Sequence, residues 1–202
     1  LEFRRVLFRS AAMPDIAAST WTHAPCRWAT SAIAAIGSMA MEDVVPMVGA
    51  TKNGRRPSAI SARIIESSAS GTMANQVALK LFTQPGDDVI VSHQSHAVWH
   101  EAGASAANSG VQFTAIGSNG LFTRDEFVDA VKPKGHALYP PTTLVEIENT
   151  HNRAGGVVFP QQDVRAICEA AAERGIATYL DGARLWNTCA ASGRTPKECA
   201  EP

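Results

Sequence analysis

Two regimes divide the hydrophobic pattern of the chain. From Ala11 to about Ala69 the apolar residues settle into neither a helical nor an alternating period, among many Ala, Ser, Met, Pro and Arg. Ser31 to Met41 is the best helix candidate of that stretch, weakened by Gly37, and Asn53-Gly54-Arg55-Arg56-Pro57 reads as an exposed turn. Residues 11–69 are therefore expected to form an atypical arm, partly disordered or read out of frame. Residues 1–10, Leu-Glu-Phe-Arg-Arg-Val-Leu-Phe-Arg-Ser, resemble an adaptor-derived scar and carry no weight for the fold.

From Ser70 the signals become regular. Gly71 to Gln84 has a helical stripe of Met73, Val77 and Leu81 with Ala74 and Ala78, closed by the turn residues Pro85-Gly86-Asp87-Asp88. Val89–Val91 predicts a short buried strand, and Val111 to Ile116 alternates like another. Thr123 then caps a helix to about Val131, with Glu126 completing a capping box. Leu144–Glu148 predicts a strand. Pro160 opens a helix through Val164, Ile167, Cys168 and Ala171 that stops at Gly175; Ile176–Leu180 predicts the next strand, and a further helix starts near Ala183. Strands alternating with helices imply βαβ units. The expected fold is α/β, an incomplete three-layer αβα domain over residues 70–202 with a mainly parallel sheet.

Composition narrows the function without choosing it. The 202 residues are 45% hydrophobic and 18% charged, with a formal net charge of -1, so nothing draws the chain to nucleic acid or to anionic lipid. No run approaches the roughly 18 apolar residues of a membrane span. Cys26, Cys168, Cys189 and Cys199 are widely spaced, which fits a reducing, cytoplasmic compartment. A small polar partner is expected.

Ligands of open α/β sheets sit beyond the carboxyl ends of the strands, and three segments fall there. Ser70-Gly71-Thr72-Met73-Ala74-Asn75 opens a helix; its free N–H groups and hydroxyls suit a phosphate, although Ser and Thr also start helices simply as caps. Glu148-Asn149-Thr150-His151-Asn152 crowds a carboxylate, two amides, a hydroxyl and an imidazole into five residues. It is either a binding loop or an Asx-type turn with a satisfied histidine. Tyr179-Leu180-Asp181-Gly182-Ala183-Arg184 places an acid at a strand end and an arginine three residues on. That acid is either a cation partner or a helix cap with a nearby salt bridge. His93, His96 and His100 have the spacing of a metal site, but no carboxylate pattern supports one and no metal is expected.

In this order and spacing, Ser70 to Gln76, Glu148 to Asn152 with Gly155-Gly156, and Asp181 to Leu185 with Asn187 resemble the low-specificity threonine aldolases. These belong to the β-eliminating lyase group of fold-type-I pyridoxal-phosphate enzymes, and the resemblance covers residues 70–202. It implies pyridoxal 5'-phosphate as cofactor, an amino-acid substrate, and a homodimer or homotetramer. The implied reaction cleaves L-threonine or allo-threonine type β-hydroxy-α-amino acids to glycine and an aldehyde. Residue by residue, it implies that Gly71 and Thr72 bind the cofactor phosphate with help from Ser70. His96, five residues ahead of Glu101, would stack on the pyridine ring and Asp181 would hold its nitrogen. Arg184 would bind the substrate carboxylate, and His151 would lie near the β-hydroxyl as base, directly or through water.

The resemblance also implies a Schiff-base lysine on a Ser-Lys-Gly loop after the next strand. Lys197 lies in a polar, surface-like stretch and Lys80 on an outward helix face, so no such lysine is expected in this chain. The small C-terminal domain and the family's amino-terminal Arg-Ser-Asp-Thr segment are likewise not found. The expectation is a fragment without catalytic competence, from an aldolase parent. Two alternatives stand beside it: another pyridoxal-phosphate β-eliminating lyase, and a non-catalytic fragment.

Overall fold

The computed structural model describes residues 68–200 and a two-residue strand at 29–30; the predicted helix at 31–41 and turn at 53–57 lie outside the described residues. The elements are β1 (Ala29–Thr30), α1 (Gly71–Phe82), β2 (Asp88–Ser92), α2 (His96–Trp99), a π-helical turn (Ser105–Ser109), β3 (Gln112–Ile116), α3 (Arg124–Ala130), β4 (Thr142–Glu148), α4 (Gln161–Arg174), β5 (Ala177–Asp181), α5 (Leu185–Ser192) and α6 (Pro196–Ala200). All strand pairs are parallel, in the order β1-β5-β4-β2-β3.

The central strands of the sheet are covered on both faces, as a parallel sheet requires. Every residue of β2 and β5 is buried, as the unbroken apolar runs foretold. Successive side chains alternate between two covering layers. Val89, Val91, Leu144, Ala177 and Tyr179 pack with Ala74, Ala78 and Leu79 of α1. Ile90, Val145, Ile147 and Leu180 point the other way, to Phe127 of α3, Val164 and Ile167 of α4, and Leu185 of α5. The result is the αβα arrangement. Among the described residues no helix is long and apolar enough to cross a membrane.

Helix α1 departs from its predicted stripe. Met73 is 51% exposed and Leu81 40%, while the buried face is Ala74, Asn75, Ala78 and Leu79. Small side chains let the helix lie close on β5, and the polar Asn75 is admitted because it has partners. At α3 the expected capping box is present: Thr123 Oγ1 accepts from the Glu126 N–H at 3.2 Å, and Glu126 Oε2 accepts from the Thr123 N–H at 2.7 Å. Thr123→Ala is expected to lower stability by about 1 kcal/mol, read by urea unfolding.

The two ends of the sheet carry different chemistry. At the amino ends, fully buried Asp88 accepts from Lys132 Nζ at 2.7 Å and from Thr114 and Thr142 hydroxyls at 2.7 and 2.9 Å. That satisfied cluster ties β2, β3 and β4 together. At the carboxyl ends the chain leaves β2 toward β3 on one side and returns to β4 on the other, which opens a crevice between the β2 and β4 loops.

Candidate active site

Four carboxyl groups converge beneath that crevice on the α1 side of the sheet. Glu146 and Glu148 come from β4, Asp181 from the end of β5, and Glu101 from the segment after α2. In register, Glu148 pairs with Asp181 and Glu146 with Tyr179.

Asn75 is the hinge of the arrangement. Its Nδ2 donates to Asp181 Oδ2 at 2.9 Å and to Glu101 Oε1 at 2.8 Å, and its Oδ1 accepts from the Tyr179 hydroxyl at 2.7 Å. The tyrosine thereby fixes which way the amide faces. Asp181 Oδ1 accepts from the Ala183 N–H at 3.1 Å, so one oxygen serves the turn after β5 while the other is reached from α1. Glu101 also accepts from Gln76 Nε2 at 2.6 Å and lies 3.0 Å from His96 Nδ1. The His96 side chain remains 27% exposed, packs beside His100, and is oriented from below by a carboxylate with no exposure.

Glu148 links the β2 and β4 loops. Its Oε2 accepts from the His96 N–H and its Oε1 from the Asn152 N–H, both at 2.8 Å. Burial holds this carboxyl above the usual range and Asp181 adds to the rise, while the two backbone donors pull it back. Arg184 lies 3.8 Å from Oε1 of Glu148, the register partner of Asp181.

His151 is 1% exposed. Its Nδ1 accepts from the Ala154 N–H at 3.2 Å, and Nε2 stands 3.6 Å from Glu148 Oε2 without a hydrogen-bond partner. Burial, then the charge of Arg184, lowers its imidazole below the ordinary value, so it is neutral at pH 7. With Nδ1 accepting, the neutral ring carries its proton on Nε2, facing Glu148. Gly120, at φ +77°, lies flat against it; a Cβ there would sit 2.4 Å from His151 Cγ.

At the start of α1, Ser70 caps the helix by accepting from the Met73 N–H at 3.2 Å. Gly71 and Thr72 form the first helical positions, whose N–H groups have no intrahelical acceptor. At the end of β2 and just after it, the buried Ser92 and Ser95 hydroxyls have no partner. At the rim, the Arg153 guanidinium lies 4.4 Å over the Trp99 ring. Lys80 is exposed and reaches the Asn108 carbonyl, and Lys197 is exposed. A separate cavity of about 320 Å³, lined by Phe159, Gln161, Thr188 and Arg194 among others, includes none of the four carboxyls.

The structure thus gathers Asp181, His96, Glu148, His151 and Arg184 at one end of the sheet. Sequence reasoning named Asn75, Glu101, Tyr179 and Glu146 only as parts of motifs or strands and gave them no roles. The signal for Asn75 was its position among the small residues of α1. Asn149 proves structural: its Oδ1 accepts from the Phe159 N–H at 3.1 Å and the Thr188 hydroxyl at 3.0 Å, anchoring the loop to α4 and α5.

A parallel sheet with buried central strands, an oriented acid at one strand end and a helix N-terminus define an α/β enzyme domain with its site at the carboxyl ends. The chain belongs to the β-eliminating lyase family, whose model matches residues 60–202. It is 34% identical to the low-specificity L-threonine aldolase of Candida albicans, over 64% of this chain and 35% of that protein. It is 37% identical to the alanine racemase TOXG of Cochliobolus carbonum, over 63% of this chain and 33% of that protein. Threonine aldolase from Leishmania major superposes with a TM-score of 0.57 at 26% identity, covering 64% of this chain and 38% of that one. The chain spans about a third of the length of the curated relatives it matches.

Proposed function

We propose that the whole protein is a pyridoxal-phosphate-dependent aldolase that cleaves L-threonine or allo-threonine type β-hydroxy-α-amino acids to glycine and an aldehyde. The carrying observation is Asp181: a carboxylate at the end of a central strand, oriented by Asn75 and the Ala183 N–H, is built to face a fixed cation. The residues present fit the cofactor. Asp181 would hold the pyridine nitrogen, His96 the ring face, and the α1 N-terminus with Thr72 and Ser70 the phosphate. When bound, the cofactor supplies an electron sink for the breaking bond.

The chain's own groups divide the remaining work. Arg184, held loosely at 3.8 Å from Glu148, is free to turn its guanidinium to a substrate carboxylate. His151 and Glu148 form the proton-handling pair near the substrate hydroxyl: with the imidazole proton on Nε2, Glu148 is the acceptor next in line. Glu101 keeps His96 in one orientation. Residues 70–202 are read as the body of the cofactor-binding large domain, to whose sheet Ala29–Thr30 add the edge strand β1 beside β5. Among the described residues no lysine stands in the site.

The test is incubation of the whole protein with pyridoxal 5'-phosphate and L-threonine. Glycine and acetaldehyde in equal amounts are the expected products. Formation of D-alanine from L-alanine without glycine from threonine would replace this reading by the racemase one, and pyruvate or 2-oxobutanoate by a β-eliminating one.

A further inference from the structure

Glu146 has no place in the chemistry above, yet it lies at the centre of the four carboxyls. It is 1% exposed, and neither Oε1 nor Oε2 has a hydrogen-bond partner. Every polar neighbour that could help it is committed elsewhere. On β5 the Tyr179 hydroxyl donates to Asn75; on α1 both hydrogens of Asn75 go to Asp181 and Glu101. The titratable groups around it are Asp181 at the end of β5, Glu101 after α2, and Glu148 on its own strand. From β2 the neighbouring side chains are apolar Val89 and Val91. The nearby basic groups, the Arg184 guanidinium and the neutral His151 imidazole, lie against Glu148. An ionised carboxylate left there would be desolvated, unpaired and surrounded by like charge, an arrangement proteins resolve by keeping the proton.

We propose that Glu146 is a proton-holding positioning residue: it stays a neutral acid beneath the site and thereby adds no further charge to Asp181 and Glu101, the two carboxylates that α1 already meets through Asn75 and Gln76. Burial first, and then Asp181, Glu101 and Glu148, push its acidity in that direction. The two acids share one face of the sheet but differ in what their oxygens receive. Asp181 has two N–H donors and Glu146 none, so the single proton resides on Glu146. When Glu146 ionises in alkaline solution, its charge faces Glu101 and Asp181 across the Asn75 hinge, and the N-terminal half of α1 is driven off the sheet. The inference concerns this chain's own charges and stands whether or not the aldolase reading holds.

The sign of the pH effect follows from linkage. The folded state holds a proton that the unfolded chain releases near the ordinary value of 4.5, so stability drains away as pH rises above that value. Glu146→Gln keeps the shape of the neutral acid and cannot ionise. The full chain carrying E146Q is expected to gain more in melting temperature at pH 8 than at pH 5, and to lose the alkaline acceleration of amide exchange in α1. An equal gain at both pH values would overturn the proposal. Carbon-13 NMR of the unsubstituted chain gives an independent reading if the variant does not fold. The Glu146 carboxyl carbon is expected to keep its protonated shift through neutral pH, and a midpoint near 4.5 would sink the idea.

Discussion

Asp181→Ala is expected to weaken binding of pyridoxal 5'-phosphate by about 10- to 100-fold, the loss of a hydrogen bond to a charged partner worth roughly 1.5–3 kcal/mol. The fold should survive. Asp181 is at the rim end of β5, and its backbone carbonyl, which accepts from the Asn149 N–H, is retained in the variant. Asn75 keeps Glu101 and Tyr179 as partners after the carboxylate is gone. Equilibrium titration followed by cofactor absorbance checks the affinity, and far-ultraviolet circular dichroism the fold. Unchanged affinity in a folded variant would remove Asp181 from the cofactor site and take the main support of the aldolase reading with it.

The second large effect belongs to a residue with no side chain. Gly120→Ala forces a Cβ to 2.4 Å from His151 Cγ and puts alanine at φ +77°, and neither strain relaxes easily. The His151 main chain is pinned by a mutual pair of bonds with the 156–157 segment, its N–H to the Val157 carbonyl and its carbonyl to the Gly156 N–H, each 2.9 Å. The left-handed backbone and the overpacking together cost about 2–4 kcal/mol. The variant is therefore expected to unfold at clearly lower denaturant concentration. In whatever fraction stays folded, turnover should fall while cofactor affinity holds, because His151 is displaced and Asp181 is not. Parallel loss of both would mean that the damage spreads past the histidine.

Much of the fold was legible because the deciding forces are local. Buried parallel strands must be apolar on both faces, and helices must begin and end with residues that satisfy loose N–H and C=O groups; Val89–Val91, Thr123 with Glu126, and Gly175 all obey those rules. The rotation of α1 was not legible. Met73 and Leu81 have the right period for a buried stripe, but which stripe faces the sheet is chosen by what β5 presents, and Tyr179 presents a hydroxyl that selects Asn75. Asp181 shows the same limit. Read as either a cap or a ligand, it gives one oxygen to the turn, as a cap would, and holds the other toward α1. Glu146 was invisible for a simpler reason. Leu144-Val145-Glu146-Ile147-Glu148 reads simply as a strand, and only the pairing of β4 with both β2 and β5 buries Glu146.

The stacking of Arg153 on Trp99 gives the molecule a readout of its own. An indole 55% open to solvent, with a cation resting on its face, emits according to where that cation is. Arg153 follows His151 by two residues, so any rearrangement of that loop around a substrate carries the guanidinium with it. Trp99 is thus an intrinsic fluorophore at the mouth of the site, able to report loop motion in real time without a label.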